Sequence, residues 1–81
     1  MLVANGMDEA VVGYIQRMNE PMVVVYCRDK CIELIKRDGK MNEEEAEEFF
    51  EFNVAGAYVG NQTPAYLHRA NIEQIHELAD S

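Results

Sequence analysis

Met22-Val23-Val24-Val25-Tyr26 decides the fold class of this chain. Three successive β-branched residues and a tyrosine, with no charge among them, read as a strand buried on both faces. With that strand in place the chain is an α+β protein. Were the segment only a buried extended connector, the rest would make a nearly all-helical bundle. Strand propensity favours the first reading, and Pro21 immediately before it ends whatever element precedes.

On the N-terminal side, Met7, Ala10, Val11, Tyr14, Ile15 and Met18 recur at helical spacing, with Asp8 and Glu9 where a first turn favours acids. This predicts a helix over about 7–19, with Asn5 as its cap and a penalty of roughly 1 kcal/mol for Gly13. Leu2-Val3-Ala4 reads as a short edge strand or a disordered end.

On the C-terminal side, Asp29 is placed to cap a helix over about 29–38, with Cys31, Leu34 and Ile35 as its inner stripe and Ile32 beside them. Asp38-Gly39 ends it with a residue that tolerates positive φ. Five of the seven bases, Arg28, Lys30, Lys36, Arg37 and Lys40, surround this helix. Asn42 then caps a third helix, with Glu45 as the return half of a capping box and further glutamates suited to the positive helix end. At 100° per residue, Ala46, Phe49, Phe50, Asn53, Val54 and Ala57 share one face, and Glu44, Glu45, Glu47, Glu48 and Glu51 the other. Phe52 points to the edge of the acidic face, and Tyr58 also projects away from the inner stripe. Gly60-Asn61 terminates the helix. Thr63-Pro64 leads into a second strand, Ala65-Tyr66-Leu67. Asn71 and Gln74 form another capping box before a closing helix carrying Ile72, Ile75, Leu78 and Ala79. The expected architecture is therefore a small single α+β domain over residues 1–81. About four short helices surround a minimal two- or three-stranded sheet, parallel or mixed.

Fifteen acids against seven bases leave a net charge of −8. That argues against direct contact with nucleic acid or an anionic membrane. It permits a basic protein partner, a cation, or imitation of a nucleic-acid backbone. With 81 residues, the chain buries only about 60% of its unfolded surface and would gain from homodimer formation. Two cysteines four apart, Cys27 and Cys31, make neither a disulfide framework nor a zinc pattern. With no signal-peptide pattern and no apolar run near eighteen residues, the expected location is the cytoplasm, with reduced thiols.

Several groups could carry chemistry. Glu43, Glu44, Glu45, Glu47 and Glu48 place carboxylates at helical spacing, and Glu77 and Asp80 follow at i, i+3. Such oxygen ligands suit Mg²⁺. The spacing resembles the E-E-x-x-E and E-x-x-D signatures of MazG-type nucleotide pyrophosphohydrolases. That resemblance implies metal-bound carboxylates activating water against a nucleoside triphosphate. The family is all-helical, which Met22–Tyr26 does not fit, and a solvated helix face explains the same glutamates. His68 and His76 lie on different expected elements with no nucleophile beside them, as surface histidines do. Cys27 and Cys31 sit at a strand–helix junction, where a thiol pKa can fall; burial as small core residues is the alternative. Gly56 would permit close approach of another backbone, from this chain or a second copy. The Asn61-Gln62-Thr63-Pro64 loop offers donors and acceptors but lacks any phosphate-loop pattern.

The strings Lys30-Cys31-Ile32-Glu33, Glu45-Ala46-Glu47-Glu48-Phe49-Phe50-Glu51-Phe52-Asn53-Val54-Ala55-Gly56-Ala57-Tyr58-Val59-Gly60 and Thr63-Pro64 are similar to a family of small proteins encoded by bacteriophages and prophages. The F-x-F-N-x-x-G-A-x-V-G-x-x-T-P motif is the specific part. The resemblance covers residues 26–64 and, more loosely, 6–12. It implies a phage origin without a mechanism, because no activity or catalytic residue is assigned to the family. Members often carry an acid near the position of Cys27, so a role tied to that acid does not transfer. The resulting expectation is a non-enzymatic acidic protein that inhibits or modulates a host protein, of an antiviral defence such as CRISPR or of the transcription machinery. Its partner-binding residues would be Glu44, Glu47, Glu48, Glu51, Phe52 and Tyr58, with no catalytic residue, cofactor or metal assigned. Aromatics exposed beside charge are typical of such surfaces. A Mg²⁺-dependent nucleotide hydrolase and a self-associating, ligand-sequestering protein are the alternatives.

Overall fold

The computed structural model describes residues 6–56, 60 and 62–80. A short 3-10 turn, Asp8–Ala10, leads into strand β1, Val11–Ile15, and a hairpin returns as β2, Val23–Cys27. Helix α1, Arg28–Gly39, follows without a loop. Helix α2, Glu43–Phe49, continues into a π-helical turn, Phe50–Ala55. Strand β3, Ala65–Leu67, and helix α3, Ile72–Ala79, complete the order. Among the described residues the strands form one mixed sheet, β1-β2-β3, with β1 antiparallel and β3 parallel to β2. The two helices between β2 and β3 supply the crossover that a parallel pair requires. This is a small α+β domain, as the strand at Met22–Tyr26 implied.

The helix expected over 7–19 is instead a short turn and a strand. The helical spacing of its apolar residues is real, but Val11, Val12, Tyr14 and Ile15 favour a pleated surface, and β2 stands beside them to be paired. Gly13 settles the matter. It has φ +152°, a conformation open mainly to glycine, and it sits where the register slips between Val11↔Tyr26 and Gly13↔Val25. The hairpin loop uses a second left-handed residue, Asn19, at φ 67°.

Alternation along β2 sends Val24 and Tyr26 to one face and Val23 and Val25 to the other. The first pair is buried among Cys31, Ile32, Leu34 and Ile35 of α1 and Ala46 and Phe50 of the following helix. The second pair is only half-buried, so β2 is covered on one face and not on two. Tyr66 of β3 completes the packed side. Its ring stacks on Tyr26 at 5.9 Å and meets Phe50 edge-on at 5.0 Å.

Helix α1 starts one residue before the expected cap. Cys27 takes the N-cap position without a side-chain hydrogen bond, and Asp29 lies in the first turn. The helix closes on Lys40, not Gly39, in the left-handed conformation, φ 53°. Both expected capping boxes form. Glu45 N–H donates to Asn42 Oδ1 at 2.8 Å and Asn42 N–H to Glu45 Oε1 at 3.2 Å. The corresponding Asn71 and Gln74 bonds are both 2.9 Å. Leu2-Val3-Ala4, Asn5, Tyr58 and Asn61 lie outside the described residues.

Candidate functional site

The wall of carboxylates on α2 is divided by what stands beside it. Glu43 and Glu51, two turns apart, face α1. Lys36 Nζ donates to Glu43 Oε2 at 2.7 Å, and Arg28 Nη2 lies 3.6 Å from Glu51 Oε1. The Glu43 hydrogen bond raises the Lys36 ammonium above its ordinary pKa. Glu47, between these two on the same row, is half-buried. The Arg28 guanidinium also lies over the Phe50 ring at 5.7 Å, while its Nε is buried without a hydrogen bond. The basic helix and the acidic helix thus pair within one chain. Solvent screens pairs this exposed, so they orient α2 more than they stabilise it.

The other row faces solvent. Glu44, Glu45 and Glu48 are exposed, and Phe52 is 81% exposed. Phe49, expected on the inner stripe, is 40% exposed beside it. Met41, Glu45, Glu48, Phe49, Phe52 and Asn53 line one open surface depression. The expected set is therefore split. Glu44, Glu48 and Phe52 lie on the solvent-facing row, and Glu47 and Glu51 belong to the row beside α1. Tyr58 is not described. Met41, Glu45, Phe49 and Asn53 are additions.

The wheel missed them for two reasons. Ala46 and Phe50, four apart and both essentially inaccessible, take the centre of the stripe and leave Phe49 at its margin. From Phe50 onward the backbone winds as a π-helix, whose wider turn lags behind 100° per residue and carries Asn53 outward. Adjacent phenylalanines were the legible sign, since two neighbours cannot both face the middle of one stripe. At Gly56 the backbone that comes close belongs to this chain. The residue follows the π-helical turn, and a Cβ there would stand 2.9 Å from the Glu51 carbonyl oxygen, so the close approach is by its own preceding turn.

The remaining candidates separate. Among the described residues no three His, Cys, Asp or Glu side chains come together as a metal site. Glu44, Glu45, Glu48, Glu77 and Asp80, all described, do not converge as the hydrolase reading requires. His68 and His76 are both exposed. Cys27 and Cys31 are free, buried thiols. Burial, reinforced by neighbouring Cys27, pushes the Cys31 thiol up to about 11. A thiol so shifted is protonated at neutral pH and is a poor nucleophile. Among the described residues no helix is long and apolar enough to cross a membrane.

No family model, curated protein or solved structure matches this chain.

Proposed function

We propose that this chain is a non-enzymatic binding protein of phage type, acting in the host cytoplasm on a basic surface of a host protein. The target class is an antiviral defence component or part of the transcription machinery. The observation that carries the reading is the pairing of Phe49 and Phe52 at the surface with Glu45 and Glu48 around them. Two exposed aromatics supply apolar area at small entropic cost, which is the usual composition of an interaction hot spot. The bases of α1 pair elsewhere: Arg28 with Glu51, Lys36 with Glu43, Lys30 with Glu33, and Arg37 with Glu9 and Asp38. A net charge of −8 adds long-range attraction to a basic groove and speeds encounter. The similarity of residues 26–64 to phage and prophage proteins supports the cellular setting.

Affinity capture from host lysate tests this reading. Tagged wild-type chain is compared with Phe52→Ala and with the double variant Glu44→Lys/Glu48→Lys. The expected result is one specific host protein retained by the wild type and lost from both variants. Identical retention by all three would remove this surface from the account.

A further inference from the structure

The sheet has one covered face and one open face. In-register pairing puts Gly13, Ile15, Val23, Val25, Cys27, Ala65 and Leu67 on this side, with Cys27 buried at its end, opposite the buried Val24 and Tyr26 and the partly buried Tyr66. No member of that set is charged or polar. Ile15 is 51% and Leu67 45% exposed, and Val23, Val25 and Ala65 are half-buried. The same chain carries an apolar stripe of matching kind. Helix α3 presents Ile72 at 66%, Ile75 at 47% and Leu78 at 70% exposure, and all eight of its residues are exposed. Its polar side holds Glu73, Gln74 and Glu77. Helices cover the sheet on its other face only, and among the described residues this face and the apolar side of α3 do not cover each other.

We infer that the second layer is a second copy of this chain: α3 of each protomer packs on the open sheet face of its partner, in a reciprocal two-fold dimer. Dimensions fit. Eight helical residues span about 12 Å. Three strands are about 10 Å across. One helix, roughly 10 Å in diameter with its side chains, therefore covers the face. The area is adequate as well. A half-exposed aliphatic side chain leaves on the order of 50 Å² of apolar surface, so face and stripe together expose on the order of 400 Å². With the polar rim that normally makes up about a third of an interface, this gives roughly 600 Å² per partner, the low end of the standard size. The face itself is neutral, so the match is one of apolar surface and not of charge. The solvent-facing glutamates of α2 stay clear, since α2 packs on the opposite side of the sheet. The dimer displays that acidic aromatic surface twice.

Reciprocity makes the proposal testable by complementation. Ile75→Asp spoils the helix, and Leu67→Asp spoils the face. Each variant alone has both halves of the interface damaged; mixing them restores one intact half. Sedimentation is measured on wild type, on each variant and on their mixture, with circular dichroism to verify folding. The expected result is a wild-type dimer weakened more than about tenfold by either substitution. Heterodimer should reappear on mixing. Because two copies of charge −8 repel, added salt should tighten the dimer. A wild-type chain that stays monomeric at every concentration overturns the inference. So does a dimer indifferent to Ile75→Asp and Leu67→Asp, or one not restored by mixing. If either variant fails to fold, the wild-type mass together with an Ile72→Asp variant decides.

Discussion

Phe50 meets Tyr66 edge-on, with ring centroids 5.0 Å apart and planes at 88°. This contact joins the π-helical turn after α2 to β3, the last strand of the sheet. It sets the rotation of the whole acidic helix. With Phe50 held at 1% exposure, Glu43 and Glu51 must fall toward α1 while Phe49 and Phe52 fall toward solvent. The candidate surface is thus a consequence of one aromatic anchor.

Replacing that anchor and replacing its exposed counterpart should have opposite profiles. Phe50→Ala empties the middle of the core and is expected to cost about 3–5 kcal/mol, enough to unfold much of a domain this small. Phe52→Ala, at 81% exposure, is expected to change stability by less than about 0.5 kcal/mol. Urea denaturation of the two variants measures both. A Phe52 variant as unstable as the Phe50 variant would place Phe52 in the core and remove it from the binding surface.

Lys40 closes α1 with φ 53°, a conformation that suits glycine. Lys40→Gly is expected to stabilise the chain by about 0.5–1 kcal/mol, the relief of left-handed strain outweighing the added freedom of the unfolded chain. In a domain of this size that raises Tm by roughly 3–6 °C. A thermal melt showing a lower Tm would mean that the Lys40 side chain makes a contact outweighing its strain.

Stability should also decline at alkaline pH. The Cys31 thiol, raised from 9.0 to about 11 by burial and by Cys27, holds its proton more tightly in the folded chain than in the unfolded one. Its contribution is therefore complete below pH 9 and is lost as pH rises through 11, on the order of 2 kcal/mol in all. Desolvation raises the Tyr66 hydroxyl as well, adding a loss of the same sign. Cys31→Ala should flatten the decline between pH 9 and 11, leaving the Tyr66 part. Urea titrations at pH 8, 10 and 11 follow it. An unchanged slope in the variant would assign the alkaline loss to other groups.

Local chemistry made much of this fold legible. β2 announced itself by its β-branched run, and Asn42 with Glu45 and Asn71 with Gln74 marked two helix starts through capping bonds that need no tertiary context. What was hidden depended on neighbours. Val11–Ile15 satisfies helical spacing, and only β2 beside it makes it a strand; Gly13 was the warning, read as a weak helix position and not as a bulge. The Phe49 orientation depended on which of two adjacent phenylalanines Tyr66 would accept, and on a π-helical turn that no spacing rule signals. The charge pattern around α1 and α2 left two readings, pairing within a chain or between chains, and the geometry of Lys36–Glu43 and Arg28–Glu51 selects the first. For α3 the amphipathic pattern told that an apolar partner is needed, and not which surface supplies it.

The most direct test of the proposed function is the salt dependence of partner binding, measured with whichever host protein the wild-type chain captures. Affinity is compared at about 50 and 300 mM salt for wild type, Phe52→Ala and Glu44→Lys/Glu48→Lys. A carboxylate surface on a basic groove predicts that wild-type binding weakens steeply with salt. Phe52→Ala should lower affinity by at least about tenfold at both concentrations, as loss of a hot-spot aromatic does. The double variant should lose most of its affinity together with its salt dependence. Affinity that is flat in salt and unaltered in both variants would contradict the account and place the binding site elsewhere on the molecule.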